Sequence, residues 1–278
     1  MRKAAKALLI CCALAGLEGC AAAPPQVPVA ASTPAPAPVP AAPHDYATDA
    51  ELLRLSMSHE VPRAVFPDAA DNAAWISRVK AAFAASPYKV ATPQLLVAVD
   101  RNPKVQQMRV ILAVPGGPWR VIGGDKVSTG RSGRKLYYIT PTGVFAHTDA
   151  ILDYRAEGTY NENHIRGLGI KGRRVWDFGW QTARKGWHGN GDTGEIRMLM
   201  HATDPDYLAQ RLGRPDSMGC VRITAAMNVF LDRHAVLDAD YLKAAKTDPR
   251  YAAILPEDGD PSAYAGTYLV IFDSSEAE

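Results

Sequence analysis

Cys220 is the one cysteine beyond residue 20 of this 278-residue chain, and its neighbours are of types that make a thiol useful. It stands in the run Ser217-Met218-Gly219-Cys220-Val221-Arg222, and fifteen residues separate Ser217 from His201. A thiol of ordinary acidity is mostly protonated at neutral pH. A neighbouring imidazole can accept that proton and, as imidazolium, hold the thiolate. The pair would then be a nucleophile for acyl transfer. Gly219 lets the backbone turn tightly, which makes the amides of Gly219 and Cys220 candidate donors to the oxyanion of a tetrahedral intermediate. Arg222 could pair with a substrate carboxylate or brace the loop. The imidazole also needs an acceptor on its second nitrogen. No carboxylate is dictated by the spacing, so the carbonyl of Ala202 is the candidate. Taken singly, Ser217, Gly219 and Arg222 are ordinary loop residues, and a lone cysteine is most often a small buried hydrophobe. Their occurrence together with His201 is what carries the expectation.

The rest of the chain says where such a thiol would work. Arg2, Lys3 and Lys6 precede an apolar run, Ala7 to Leu17, too short to span a bilayer, so residues 1–19 read as an export signal. Leu17-Glu18-Gly19-Cys20 resembles the lipobox of bacterial lipoproteins, with Glu18 departing from the small or apolar residue usual there. That resemblance implies lipidation of Cys20. With Ala21 next, it implies retention at the outer membrane of a Gram-negative envelope, on the periplasmic side. Cys11 and Cys12 would leave with the leader, so Cys220 has no intramolecular disulfide partner in a compartment that favours disulfides. Residues 20–43 are almost entirely Ala, Pro and Val, a semi-rigid extended tether. From Cys20 onward the chain has 28 basic and 28 acidic side chains, a balance that argues against nucleic acid as a partner.

The body must position the two reactive residues. A helical region is expected over residues 44–92. Thr48 and Glu51 form a capping-box pattern before one helix, and a second fits Asp71 to Ser86, with Trp75, Ile76, Val79, Ala82 and Phe83 on one face. Residues 93–278 read as a β-rich domain, with strands over Leu95 to Val99, Met108 to Leu112, Trp119 to Ile122 and Leu136 to Ile139, and an apolar strand Tyr268 to Phe272 at the end. Residues 149–194 show no sustained period. They carry Trp176, Trp180, Trp187, His188 and several cationic side chains, and read as an irregular wall or lid over the site, with Trp176, Trp187 and His188 as candidate substrate contacts. In Glu195 to His201, Ile196, Met198 and Met200 alternate with Arg197, Leu199 and His201, which puts His201 at a strand end on the less apolar face. Asp204, Pro205 and Gly213 bracket an expected short helix, and Thr224 is placed to cap another.

Two stretches resemble the L,D-transpeptidase catalytic domain, also called the YkuD domain. Val127-Ser128-Thr129-Gly130 followed by Thr140-Pro141-Thr142-Gly143-Val144-Phe145 is similar to its upstream signature. His201 followed by Ser217-Met218-Gly219-Cys220-Val221-Arg222 is similar to its catalytic motif in order and spacing. The resemblance covers roughly residues 93 to 273. Met218 departs from it where many members carry a second histidine, and Ala202 where glycine or serine is common. The resemblance implies a mainly β sandwich with flanking helices and a substrate of peptidoglycan stem peptides. It implies Cys220 as nucleophile and His201 as base, with no metal or organic cofactor. The activity implied is transfer through a thioester, with hydrolysis by the same Cys/His site as one alternative and a catalytically inactive wall-binding lipoprotein as another.

Overall fold

Each of the two opening helices begins where an aspartate can accept the first free N–H groups. The computed structural model describes residues 45–276, so the expected leader 1–19, the linker 20–43 and Cys20 lie outside the described residues. Helix α1 (Tyr46–Glu60) starts at Asp45, whose carboxylate accepts from the Ala47 amide at 3.0 Å and from the Thr48 hydroxyl at 2.6 Å. Thr48 is therefore inside the helix as a donor and does not cap it. Helix α2 (Ala69–Ala84) is capped by Asp68, which accepts from the Asp71 amide at 2.9 Å, so the start expected at Asp71 falls within its first turn. In both cases a carboxylate one turn upstream competes as a better acceptor.

Strands β1 (Gln94–Asp100), β2 (Gln107–Ala113) and β3 (Arg120–Lys126) follow as an antiparallel meander. After them come β4 (Tyr138–Ile139), β5 (Gly143–Ala146), β6 (Tyr154–Arg155), β7 (Arg174–Lys185), β8 (Thr193–Ala202) and β9 (Val221–Ile223). Helices α3 (Ala225–Arg233), α4 (Ala239–Ala244) and α5 (Pro249–Ile254) precede β10 (Tyr268–Phe272). The first sheet has the order β3-β2-β1-β10-β5, with β10 parallel to β1. The second has the order β4-β7-β8-β9, with β6 also paired to β7.

Every residue of β1 is buried, which is why its middle, Leu95 to Val99, reads as an unbroken apolar run. Leu95, Val97 and Val99 point into the core between the sheets, where they meet Trp176, Phe178, Met198, Met200, Val221 and Ile223 of the second sheet and Met227, Phe230 and Leu231 of α3. Leu96 and Ala98 point the other way, against Trp75, Val79 and Phe83 of α2. The architecture is mixed α+β, two packed sheets with flanking helices, as the sequence implied. Helix α1 contributes Ala50 and Met57 to the inter-sheet core, so the helical region and the sheets fold as one compact unit from Asp45 onward.

The stretch expected to be an irregular lid is in part the opposite. Residues 174–185 form β7, the longest strand, lying between β4 and β8. Its pattern escapes detection because a bulge between Asp177 and Trp180, with Gly179 at φ +76°, breaks the alternation. Arg174 to Gly179 are also buried on both faces. Trp176 is fully buried in the inter-sheet core and is thereby removed from the candidate substrate contacts. The helix expected between Asp204 and Gly213 is reduced to one 3-10 turn, Ala209–Arg211. Ahead of it the Asp204 carboxylate accepts the amides of Asp206, Tyr207 and Arg166.

Candidate active site

The site is made by one parallel pairing, β8 with β9, which sets His201 opposite Arg222 and Met200 opposite Val221. Met200 and Val221 are fully buried between the sheets. Paired residues share a face and successive residues alternate, so His201 and Arg222 lie on the outer face. Cys220 stands in the bend just before β9, and its Sγ lies 3.9 Å from the carbonyl of Arg197 on β8, near the Leu199 backbone, Arg222 and Asp177. Strand β7 extends the rows, with Val175 opposite His201 and Asp177 opposite Leu199, and β6 adds Tyr154 opposite Val175. The outer face therefore carries Tyr154, Val175, His201 and Arg222 in one row, with Asp177 and Leu199 beside it.

The loop before Cys220 is held by hydrogen bonds to the two upstream motifs. Ser217, fully buried, donates through Oγ to the Cys220 carbonyl at 2.6 Å and accepts the Gly219 N–H at 3.1 Å. The Gly219 amide is thus turned into the loop, and the expectation that it faces an oxyanion does not hold in this conformation. Gly219 has φ +128°, and a Cβ there would lie 2.7 Å from Cδ1 of Ile196, so the position admits only glycine without strain. Thr140, also fully buried, donates to the Gly219 carbonyl at 2.8 Å and accepts the Gly130 N–H at 2.8 Å. Ser128 exchanges two backbone bonds with Arg222, each 2.9 Å, and the Thr129 carbonyl accepts from the Asp216 and Ser217 amides. Gln106 in turn grips Thr129 through its side-chain amide, donating to the hydroxyl and accepting the N–H, both at 2.8 Å. Residues 127–130 and Thr140 are therefore a clamp on the cysteine loop.

His201 is only 3 % exposed, and its Nδ1 lies 2.7 Å from the Ala202 carbonyl. A carbonyl only accepts, so Nδ1 carries the proton and Nε2 is left as the free acceptor. Burial, opposed by the Ala202 bond and reinforced by the Arg222 charge, brings the His201 pKa down to about 4. Burial pushes the Cys220 thiol up, while the Leu199 backbone and the Arg222 guanidinium pull it the other way. The resting pair is a neutral imidazole and a neutral thiol. Cys220 is a free, partly buried thiol whose Sγ lies 3.9 Å from the Arg197 carbonyl. Arg222 donates from Nη1 to the Asp216 carbonyl at 3.0 Å, so of its two expected roles the geometry presents the brace.

At the mouth of this face, Asp177 and Tyr154 carry no signal in the sequence, while Arg197 is placed by the β8 alternation on the face of His201 and Trp180 belongs to the stretch expected as a wall. Arg197 holds the Asp177 carboxylate with Nε 2.9 Å from both oxygens and Nη2 at 2.8 Å. Its guanidinium lies 5.9 Å from the Trp180 ring, which is 65 % exposed. Tyr154, partly exposed, has its pKa raised by burial and then by the nearby Asp177 and Cys220. The phase of β8 sets Arg197 on this face, two steps from Leu199 and four from His201. Trp187 packs edge-on against the Tyr138 ring at 5.1 Å, and a Cβ on Gly219 would meet the Tyr138 Cβ, so Trp187 borders the loop through that residue. His188 instead bonds Asp192 at 2.7 Å within the turn joining β7 to β8, and no hydrogen bond or ion pair joins it to His201 or Cys220 among the described residues.

Beneath β6 and β7 lies a buried charge network. Arg174 reaches Asp153 at 2.9 Å, Asp238 at 2.9 Å and Asp232 at 3.3 Å, while His147 bonds Asp153 at 2.9 Å and the Leu237 carbonyl at 2.8 Å. His147, Asp153 and Asp238 have donor atoms spaced closely enough for a metal ion, yet the Arg174 guanidinium already engages both carboxylates. The second Asp153 oxygen accepts the Asp177 amide at 2.9 Å, which ties the network to the floor of the site.

No protein-family model and no curated protein sequence matches the chain. Among solved structures, it is similar to a fused Zn-dependent amidase/peptidase/peptidoglycan-binding domain-containing protein from Clostridium acetobutylicum ATCC 824. The identity is 17 % and the TM-score 0.28, over 75 % of this chain and 65 % of that one. A likeness of that degree carries no argument about fold or activity.

Proposed function

We propose that this chain is a cysteine acyltransferase of the cell envelope, an L,D-transpeptidase acting on peptidoglycan stem peptides. The observation that carries the reading is the pairing of β8 with β9, which puts Arg222 opposite His201 and brings a disulfide-free thiol to the start of β9, with the His201 Nδ1–H fixed by the Ala202 carbonyl and Nε2 free. For catalysis the Cys220 side chain must turn from the Arg197 carbonyl to that nitrogen. Nε2 takes the thiol proton as sulfur attacks the carbonyl joining the L-centre of meso-diaminopimelate to the terminal D-Ala of a tetrapeptide stem. Collapse of the tetrahedral intermediate breaks the amide. His201 returns the proton to the departing D-Ala amine, and a thioester remains on Cys220. An acceptor amine then attacks the thioester, giving its proton through His201 to the sulfur; water in its place would yield the tripeptide. Arg222, the positive charge felt by both residues, favours thiolate and neutral imidazole together. Arg197 and Trp180 at the mouth offer a guanidinium and an aromatic surface to the stem. Each step uses side chains alone and calls for no cofactor. Work in the periplasm, with lipid on Cys20 as an anchor, completes the proposal.

The test is intact-mass spectrometry of the protein incubated with disaccharide-tetrapeptide and, separately, with a carbapenem β-lactam. The expected result is a covalent adduct that maps to Cys220, is absent from Cys220→Ser, and is accompanied by dimeric or exchanged muropeptides. Tripeptide alone would make the enzyme a hydrolase. A folded protein that forms neither adduct nor product would refute catalysis and leave a wall-binding role.

A further inference from the structure

We propose that a second, arginine-lined cleft beside the cysteine loop binds a carboxylate-rich peptide. The inference rests on the acyltransferase reading only for the source of that peptide, which we take to be the acidic stem that supplies the acceptor amine. The cleft is a cavity of about 680 Å³. Five guanidiniums line it, those of Arg101, Arg131, Arg184, Arg211 and Arg214, against three carboxylates, Asp216, Asp273 and Glu276. Asp273 and Glu276 are engaged by Arg101 at 3.1 and 2.8 Å, and Asp216 is shared by Arg131 at 3.0 Å and Arg211 at 3.2 Å. Arg184 and Arg214, both exposed, have no carboxylate partner among the described residues. The cleft is thus left with two uncompensated positive charges inside a concavity that already aligns several more.

Its chemistry favours carboxylates spread along a chain over a single phosphate. A phosphate site usually concentrates backbone N–H groups at a helix N-terminus or nest on one centre. Here the cations come from separate segments, residues 101, 131, 184 and 211–214, as side chains whose planar forks suit carboxylates. Pro103, Ile139 and Pro215 supply apolar surface for the methylenes between those charges. The cleft also shares a wall with the catalytic loop. Asp216, four residues before Cys220, faces it, and the Asp216 carbonyl holds the Arg222 guanidinium at 3.0 Å. A peptide seated there would lie against the Asp216 end of that loop.

The probe is the tripeptide L-Ala-γ-D-Glu-meso-diaminopimelate, titrated by calorimetry into the Cys220→Ser protein, with inorganic phosphate as a second ligand. Saturable tripeptide binding is expected, weakened about tenfold or more by R184A/R214A and largely retained by R184K/R214K, with all three proteins melting together. Binding unchanged in R184A/R214A, no binding at all, or phosphate binding tenfold tighter than the tripeptide would each overturn the proposal. Iodoacetamide alkylation of Cys220 in the R184A/R214A background, a neutral reagent too small to need the cleft, should stay within about twofold of the parent. Loss of the carbapenem adduct with tripeptide binding intact would sink the acyltransferase reading and leave the cleft. Loss of tripeptide binding with the adduct intact would do the reverse.

Discussion

Lowering the pH should cost this fold a specific amount of stability through His201. The ring is almost fully buried, and its pKa falls from 6.5 to about 4 because the charged form is poorly solvated there and faces the Arg222 guanidinium. Between pH 4 and 6.5 the unfolded chain binds a proton at this residue and the folded chain does not, so stability rises with pH across that window. The contribution is complete above pH 6.5 and is lost as the pH falls toward 4. A separation of about 2.5 units, at ~1.36 kcal/mol per unit, corresponds to ~3 kcal/mol between pH 7.5 and pH 4. Other groups also titrate. His147, buried but raised above 6.5 by its aspartate partners, contributes with the opposite sign, its share being lost as the pH rises above 6.5. The measurement is therefore a difference, with urea denaturation followed by tryptophan fluorescence at a series of pH values for the parent and for His201→Gln. The parent's advantage should shrink by ~3 kcal/mol from pH 7.5 to pH 4, whatever constant offset the lost Ala202 bond adds. An NMR titration of the His201 ring reads the same quantity directly, even where the variant folds poorly. Parallel pH curves, or an imidazole resonance titrating above pH 6, would refute the reasoning.

Because burial raises the Cys220 thiol and the imidazole is neutral, iodoacetamide alkylation should climb steadily with pH through 8, and an acidic plateau marking a preformed thiolate–imidazolium pair would contradict that electrostatic picture. Thr140→Val keeps the volume but strands the Gly219 carbonyl and the Gly130 amide, which should lower unfolding free energy by about 2–4 kcal/mol in urea; a loss below ~0.5 kcal/mol would mean the clamp is idle. Arg174→Met takes the guanidinium away from Asp153 and from the fully buried Asp238, and a loss of about 3–5 kcal/mol is expected. Adding Asp238→Asn should recover part of that loss, and no recovery would show that Asp238 is not the group destabilised.

Much of this molecule follows from local sequence. The apolar alternation of Ile196, Met198 and Met200 sets the phase of β8 and so the face of His201, because a strand's period is two and burial selects one side. Thr224 caps α3 as its type and position require, accepting the Met227 amide at 3.1 Å. A lone thiol next to glycine and near a histidine was equally legible, since chemistry there depends on residue type and spacing. The motif stretches could be identified, but not what they do. That Thr140 and residues 128–130 clamp the Cys220 loop is decided by bonds such as Thr140 to Gly219, 79 positions apart in the chain. Strand β7 stayed hidden because its period is broken by the Gly179 bulge and masked by burial on both faces, and with it went the true place of Trp176 and the partnership of Asp177 with Arg197. The parallel register of β8 on β9, which sets Arg222 opposite His201 and brings the Cys220 bend to the edge of β8, leaves no trace in either segment alone, because strand pairing is a contest among distant partners that only the packed core settles.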